Sequence, residues 1–105
     1  MTYVIDIDGT ICTNTDGKYK EAQPFTDRID KINQLYDDGH RIVFFTARGM
    51  KSLEGDVDSV YRIWYAFTQE QLKKWNVKYH ALLMGKPSAD YYIDDKGLNI
   101  DDFFK

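Results

Sequence analysis

The chain is poor in the features that mark secreted, disulfide-held or membrane-spanning proteins. Among its 105 residues there is one cysteine, Cys12, so no internal disulfide can form. There is no charged-then-apolar leader and no long uncharged stretch able to cross a bilayer, so the expected compartment is the cytoplasm, with no membrane partner. Histidine is scarce as well: His40 and His80 carry no assigned role. Charge of either sign is not in great excess. The formal net charge of -3 exerts no global pull toward nucleic acid or an anionic surface. What is present is apolar bulk, 43% of residues with 15% aromatic, which makes this a folding chain rather than a disordered one. The length suits one domain, residues 1–105, with no separate substrate domain.

Periodicity places the elements. Tyr3 to Ile7 is short, apolar and β-branched, the pattern of a central strand covered on both faces, and Asp6 and Asp8 stand at its carboxyl end. Gly9 to Gln23 is polar and reads as a loop or hairpin flap. Ile29, Ile32, Leu35 and Tyr36 recur at helical spacing before Gly39, predicting a helix over residues 25–37. Arg41 to Phe45 is a second strand, ending in Thr46, Ala47 and Arg48. Val57, Val60, Tyr61, Trp64 and Phe67 mark an amphipathic helix, and Thr68 with Gln71 has the spacing of a capping box that starts a second helical segment. Tyr79 to Met84 predicts a third strand, followed by Lys86, and Asp90 to Ile93 a fourth, ending in Asp94 and Asp95. Leu98, Ile100, Phe103 and Phe104 are expected to pack onto the domain edge.

Strands alternating with helices argue for an α/β fold, a Rossmann-like three-layer sandwich with a mainly parallel sheet. Ligands in such sheets bind beyond the carboxyl ends of the strands. Asp6, Asp8, Thr46, Arg48, Lys86, Asp94 and Asp95 all stand there. Carboxylates brought together repel one another and call for a proton or a cation. Hard oxygen donors with few histidines or thiols favour Mg²⁺. Thr46 offers a hydroxyl, the following residues offer backbone N–H groups, and Lys86 offers a point charge for a phosphoryl oxygen. Together these describe phosphoryl transfer, with Asp6 as nucleophile and Asp8 as general acid and base.

At these residues the chain resembles the haloacid dehalogenase superfamily of phosphatases. The D-x-D-G-T match at Asp6 to Thr10, then Thr46, Lys86 and the pair Asp94-Asp95 occur in that family's order. FTARGM at 45–50, MGKP at 84–87 and YIDDK at 92–96 further resemble the small capsule-biosynthesis phosphatases of polysaccharide biosynthesis. The resemblance implies a magnesium-dependent enzyme acting through an aspartyl-phosphate on a small phosphorylated substrate such as a sugar phosphate. It implies metal ligation by Asp6, by the backbone carbonyl of Asp8 and by Asp94 or Asp95. It gives catalysis to Asp6, Asp8 and Lys86 and phosphate binding to Thr46 and Lys86; beside them, Ala47 and Arg48 in the loop after the second strand are further candidates for substrate binding. Most members carry an inserted cap. Gly9 to Gln23 can form only a flap, so a capless domain with an open site is expected.

Other readings stand beside these. An open site would admit nucleic acid ends to a polynucleotide 3′-phosphatase, although acids outnumber Lys and Arg, 17 to 14. A phosphate-binding scaffold without turnover is the reading from another class. Arg48 could grip substrate or pair with a neighbouring carboxylate. Tyr61, Trp64 and Tyr65 read as core, with a homo-oligomer interface as the alternative.

Overall fold

The structure, a computed structural model, describes residues 1–105. In chain order it contains β1 (Thr2–Ile5), α1 (Thr26–Asp37), β2 (Arg41–Phe45), α2 (Val57–Lys74), β3 (Ala81–Leu83) and α3 (Ile100–Phe103), with a short 3₁₀ turn at Tyr19–Glu21. The three strands form one parallel sheet in the order β1-β2-β3. Register sets Tyr3 beside Ile42, Ile5 beside Phe44, and Phe44 beside Leu82. In β2 the consecutive residues Ile42, Val43 and Phe44 are all buried. Neighbouring side chains point to opposite faces, so the middle strand is covered on both.

The helices form where their apolar stripes demand and stop where the backbone can turn left-handed. In α1, Ile29 and Ile32 are buried, with Leu35 and Tyr36 packed behind them. Gly39 ends it at φ +94°, and the N–H groups of Gly39 and His40 donate back to the carbonyls of Tyr36 and Leu35, a Schellman closure. Asn76, at φ +57°, ends α2 in the same way, with Val77 donating to Leu72. Asp56 caps the start of α2 by accepting from the Ser59 N–H.

Three expectations are corrected. The segment Asp90 to Ile93 forms no strand, and Tyr91 and Ile93 are exposed there. Consequently β1 is an edge strand rather than a central one, and Val4 is 64% exposed. Finally, α2 is one continuous helix. Thr68 lies buried in its interior, where its hydroxyl accepts a bond from Arg48 instead of capping a new segment. Phe103 and Phe104 do pack on the domain edge, with the Phe103 ring 5.5 Å from Tyr3, whereas Leu98 stays exposed.

Candidate functional site

The loop after β1 builds the site. Ile7 and Ile11 are fully buried, and the N–H groups of Thr10 and Ile11 both donate to the Ile7 carbonyl, winding the chain tightly around Gly9 at φ +80°. The extended strand ends at Ile5, and Asp6 and Asp8 take different partners, although the charge of Asp8 still acts on Asp6. Asp6 faces a cavity of about 720 Å³ between the free edge of β1 and residues 86–104. Asp8 turns to Arg48.

Three polar neighbours favour the charge of Asp6, and the carboxylate of Asp8 opposes it. Lys86 Nζ lies 3.8 Å from Oδ1, the Thr10 hydroxyl donates to Oδ2 at 3.4 Å, and the Ile7 backbone N–H also favours its charge. Burial still dominates and holds the Asp6 carboxyl above the ordinary aspartate range, with Lys86 the main opposing influence. Asp6 is therefore short of positive charge. Lys86 is itself held in place: its ammonium sits 4.2 Å from the centre of the Tyr92 ring, and its backbone N–H donates to the Thr46 carbonyl.

The loop after β2 is built differently from the expectation of a substrate-gripping arm. The Arg48 side chain is completely shielded from solvent and forms a bidentate pair with Asp8, Nε to Oδ2 at 2.9 Å and Nη2 to Oδ1 at 3.0 Å. Its Nη1 donates to Thr68, and the Tyr19 ring lies 4.8 Å from its Cζ. Of the two roles open to Arg48, the structure selects the carboxylate partner. Thr46 is buried, and its hydroxyl accepts from the Arg48 backbone N–H at 3.2 Å. Ala47 contributes through its backbone: its N–H and that of Asp8 donate to no protein group, unlike their loop neighbours Thr46, Arg48, Gly49 and Met50.

Asp94 and Asp95 line the same cavity as Asp6 and Lys86 but stand at its exposed rim, where Asp94 Oδ1 accepts from the Lys96 N–H at 2.7 Å. No three carboxylate, imidazole or thiolate groups come together as a cluster able to hold a metal ion. The convergence expected of Asp6, Asp8, Asp94 and Asp95 thus holds for three of them around one cavity, and not as a closed ligand set. The donor type nevertheless suits a hard cation, because the metal-ligating side chains on that space are the carboxylates of Asp6, Asp94 and Asp95, with no histidine or cysteine among its lining and with Lys86 and Lys96 beside them.

Sequence reasoning passed over Tyr19. It is the only aromatic in the polar run Gly9 to Gln23, and that isolation was its one signal. Its hydroxyl accepts from the Gly49 N–H at 2.8 Å, its carbonyl accepts from Gln71, and its ring meets Trp64 edge-on. The flap is therefore fastened down, and its base is closed by paired bonds between Thr13 and Gln23. Trp64 and Tyr65 pack against the core, and the Tyr61 hydroxyl accepts from the Met84 N–H, so the aromatic bulk of α2 has internal partners.

A parallel sheet with helices between successive strands defines a small α/β protein, and none of its helices is long and apolar enough to cross a membrane. The fold is similar to the crystal structure of a structural-genomics target from Vibrio cholerae, with a TM-score of 0.91 and 30% identity over 98% of this chain and 86% of that one. The chain belongs to the same family as that protein. No family model and no curated protein matches it.

Proposed function

We propose that the chain is a phosphomonoester hydrolase of the haloacid dehalogenase type, a capless Rossmann-like domain acting on a sugar phosphate or similar small metabolite. The observation that carries this reading is the placement of Asp6: partly buried, charge-deficient, 3.8 Å from Lys86 and facing a cavity whose far rim holds Asp94 and Asp95. Asp6, Asp94 and Asp95 are the side chains that would hold Mg²⁺, joined by the Asp8 carbonyl. Bound there, the ion would supply charge compensation between the nucleophile and the phosphate.

The chain's own residues account for the remaining chemistry. An Asp6 oxygen attacks phosphorus, and the bond from phosphorus to the ester oxygen breaks. Asp8 gives its proton to the departing oxygen. Asp8 then takes a proton from the water that cleaves the aspartyl-phosphate, which restores both carboxyls and releases inorganic phosphate. Lys86 and the free N–H groups of Asp8 and Ala47 are the donors available to phosphoryl oxygens.

Hydrolysis of 4-nitrophenyl phosphate with magnesium tests the reading. Asp6→Asn is expected to abolish turnover, and Asp8→Asn to lower kcat by about a hundredfold or more through the water step, in which Asp8 is the base. Equal rates for wild type and Asp6→Asn would remove the nucleophile assignment and favour a binding domain without turnover.

A further inference from the structure

Resting on that reading, we infer that Arg48 is a positioning residue that sets the orientation of Asp8 for proton transfer. A carboxylate has about four lone-pair sites. Arg48 Nη2 takes one on Oδ1, and Cys12 Sγ lies 3.6 Å from that same atom. Oδ2 is engaged by Arg48 Nε alone. The Asp8 side chain keeps 17% of its surface exposed while that of Arg48 keeps none. The guanidinium is therefore shielded from substrate, and the acid it holds is Asp8.

The guanidinium is in turn fixed from two sides. Thr68, buried within α2, accepts from Nη1 at 3.3 Å, and the guanidinium carbon lies over the Tyr19 ring of the flap, 4.8 Å from its centre. The flap, α2 and the loop after β2 thus meet on one planar group whose fork matches a carboxylate. A lysine at this position keeps the charge but cannot make two parallel bonds, so it leaves Asp8 free to rotate.

Leaving-group dependence separates orientation of a proton donor from general structural support. The 4-nitrophenolate ion departs readily without a proton, whereas an alkyl phosphate such as glycerol phosphate needs one. Arg48→Lys and Arg48→Met are expected to lower kcat/KM about tenfold or less on the aryl ester and about a hundredfold or more on the alkyl ester, as Asp8→Asn does. Added to Asp8→Asn, either change should cost little more on the alkyl ester. Equal losses on both esters, repeated in full on the Asp8→Asn background, would assign Arg48 a structural role only and overturn the inference. If neither Arg48 variant folds, Thr68→Val unties Nη1 alone: the ratio of the two activities should move the same way by about twofold, and an unchanged ratio overturns the inference. A wild-type chain that hydrolyses neither ester overturns the phosphatase reading, and the inference with it.

Discussion

Gly49 and Trp64 are packed so closely that a Cβ on the glycine would lie 2.5 Å from Trp64 Cδ1. Gly49 also has φ +77°, a conformation L side chains resist, so two independent reasons hold glycine there. Its N–H donates to the Tyr19 hydroxyl, which ties the Arg48 loop to the flap. Gly49→Ala is expected to destabilise by about 2–4 kcal/mol, from overpacking and backbone strain together. Urea unfolding monitored by tryptophan fluorescence checks this. A loss below about 0.5 kcal/mol would mean that the indole gives way freely.

Asp6 provides a stability prediction with a definite sign. Burial raises its folded-state pKa against the pull of Lys86. A carboxyl raised in this way favours the fold while protonated; the contribution is complete below its ordinary value of 3.8 and is lost as pH rises through the folded-state value. In the presence of a chelator, Asp6→Asn should therefore raise Tm at pH 7, with the gain shrinking toward about pH 3. Added magnesium should raise the Tm of wild type and leave that of Asp6→Asn nearly unchanged. A variant less stable than wild type at pH 7 would show that the pair with Lys86 outweighs burial.

Cys12 is fully buried, and burial, helped by the charge of Asp8, pushes its thiol up to about 12. Thiolate is the reactive form, so the native protein should resist Ellman's reagent by about a hundredfold or more relative to the same chain in denaturant. Fast labelling of the native protein would mean that the loop around Gly9 opens readily.

Tyr92 steadies Lys86 through its ring face at 4.2 Å, with its hydroxyl donating to the Pro87 carbonyl. Tyr92→Leu keeps apolar bulk and removes that attraction, worth about 0.5–1 kcal/mol. KM for phosphate esters should rise about two- to fivefold with kcat nearly unchanged. A fall in kcat at constant KM would place Tyr92 in the chemical step instead.

Local pattern made much of the fold readable. Arg41–Phe45 and Thr26–Asp37 lie within a residue of where apolar periodicity and Gly39 predict them. The cavity-facing role of Asp6 and Lys86 was likewise readable, because the rule that ligands gather at strand ends depends on fold class alone. Thr68 misled, since a threonine three residues before a glutamine fits a capping box and an α2 interior equally well. Only the approach of Arg48 tells them apart. Asp90 to Ile93 has the composition of a strand, but strand formation depends on a partner edge, and those residues lie outside the sheet.

By itself the sequence determined an α/β alternation and a set of carboxylates, a hydroxyl and a lysine at strand ends, because these depend on periodicity and order along the chain. Tertiary structure alone decided how those groups divide. Asp6 and Asp8 stand two residues apart, yet one meets Lys86 and the other meets Arg48, 40 residues away. A partly buried charge takes whichever countercharge the packing brings within about 3–4 Å, and no spacing in the sequence specifies that choice.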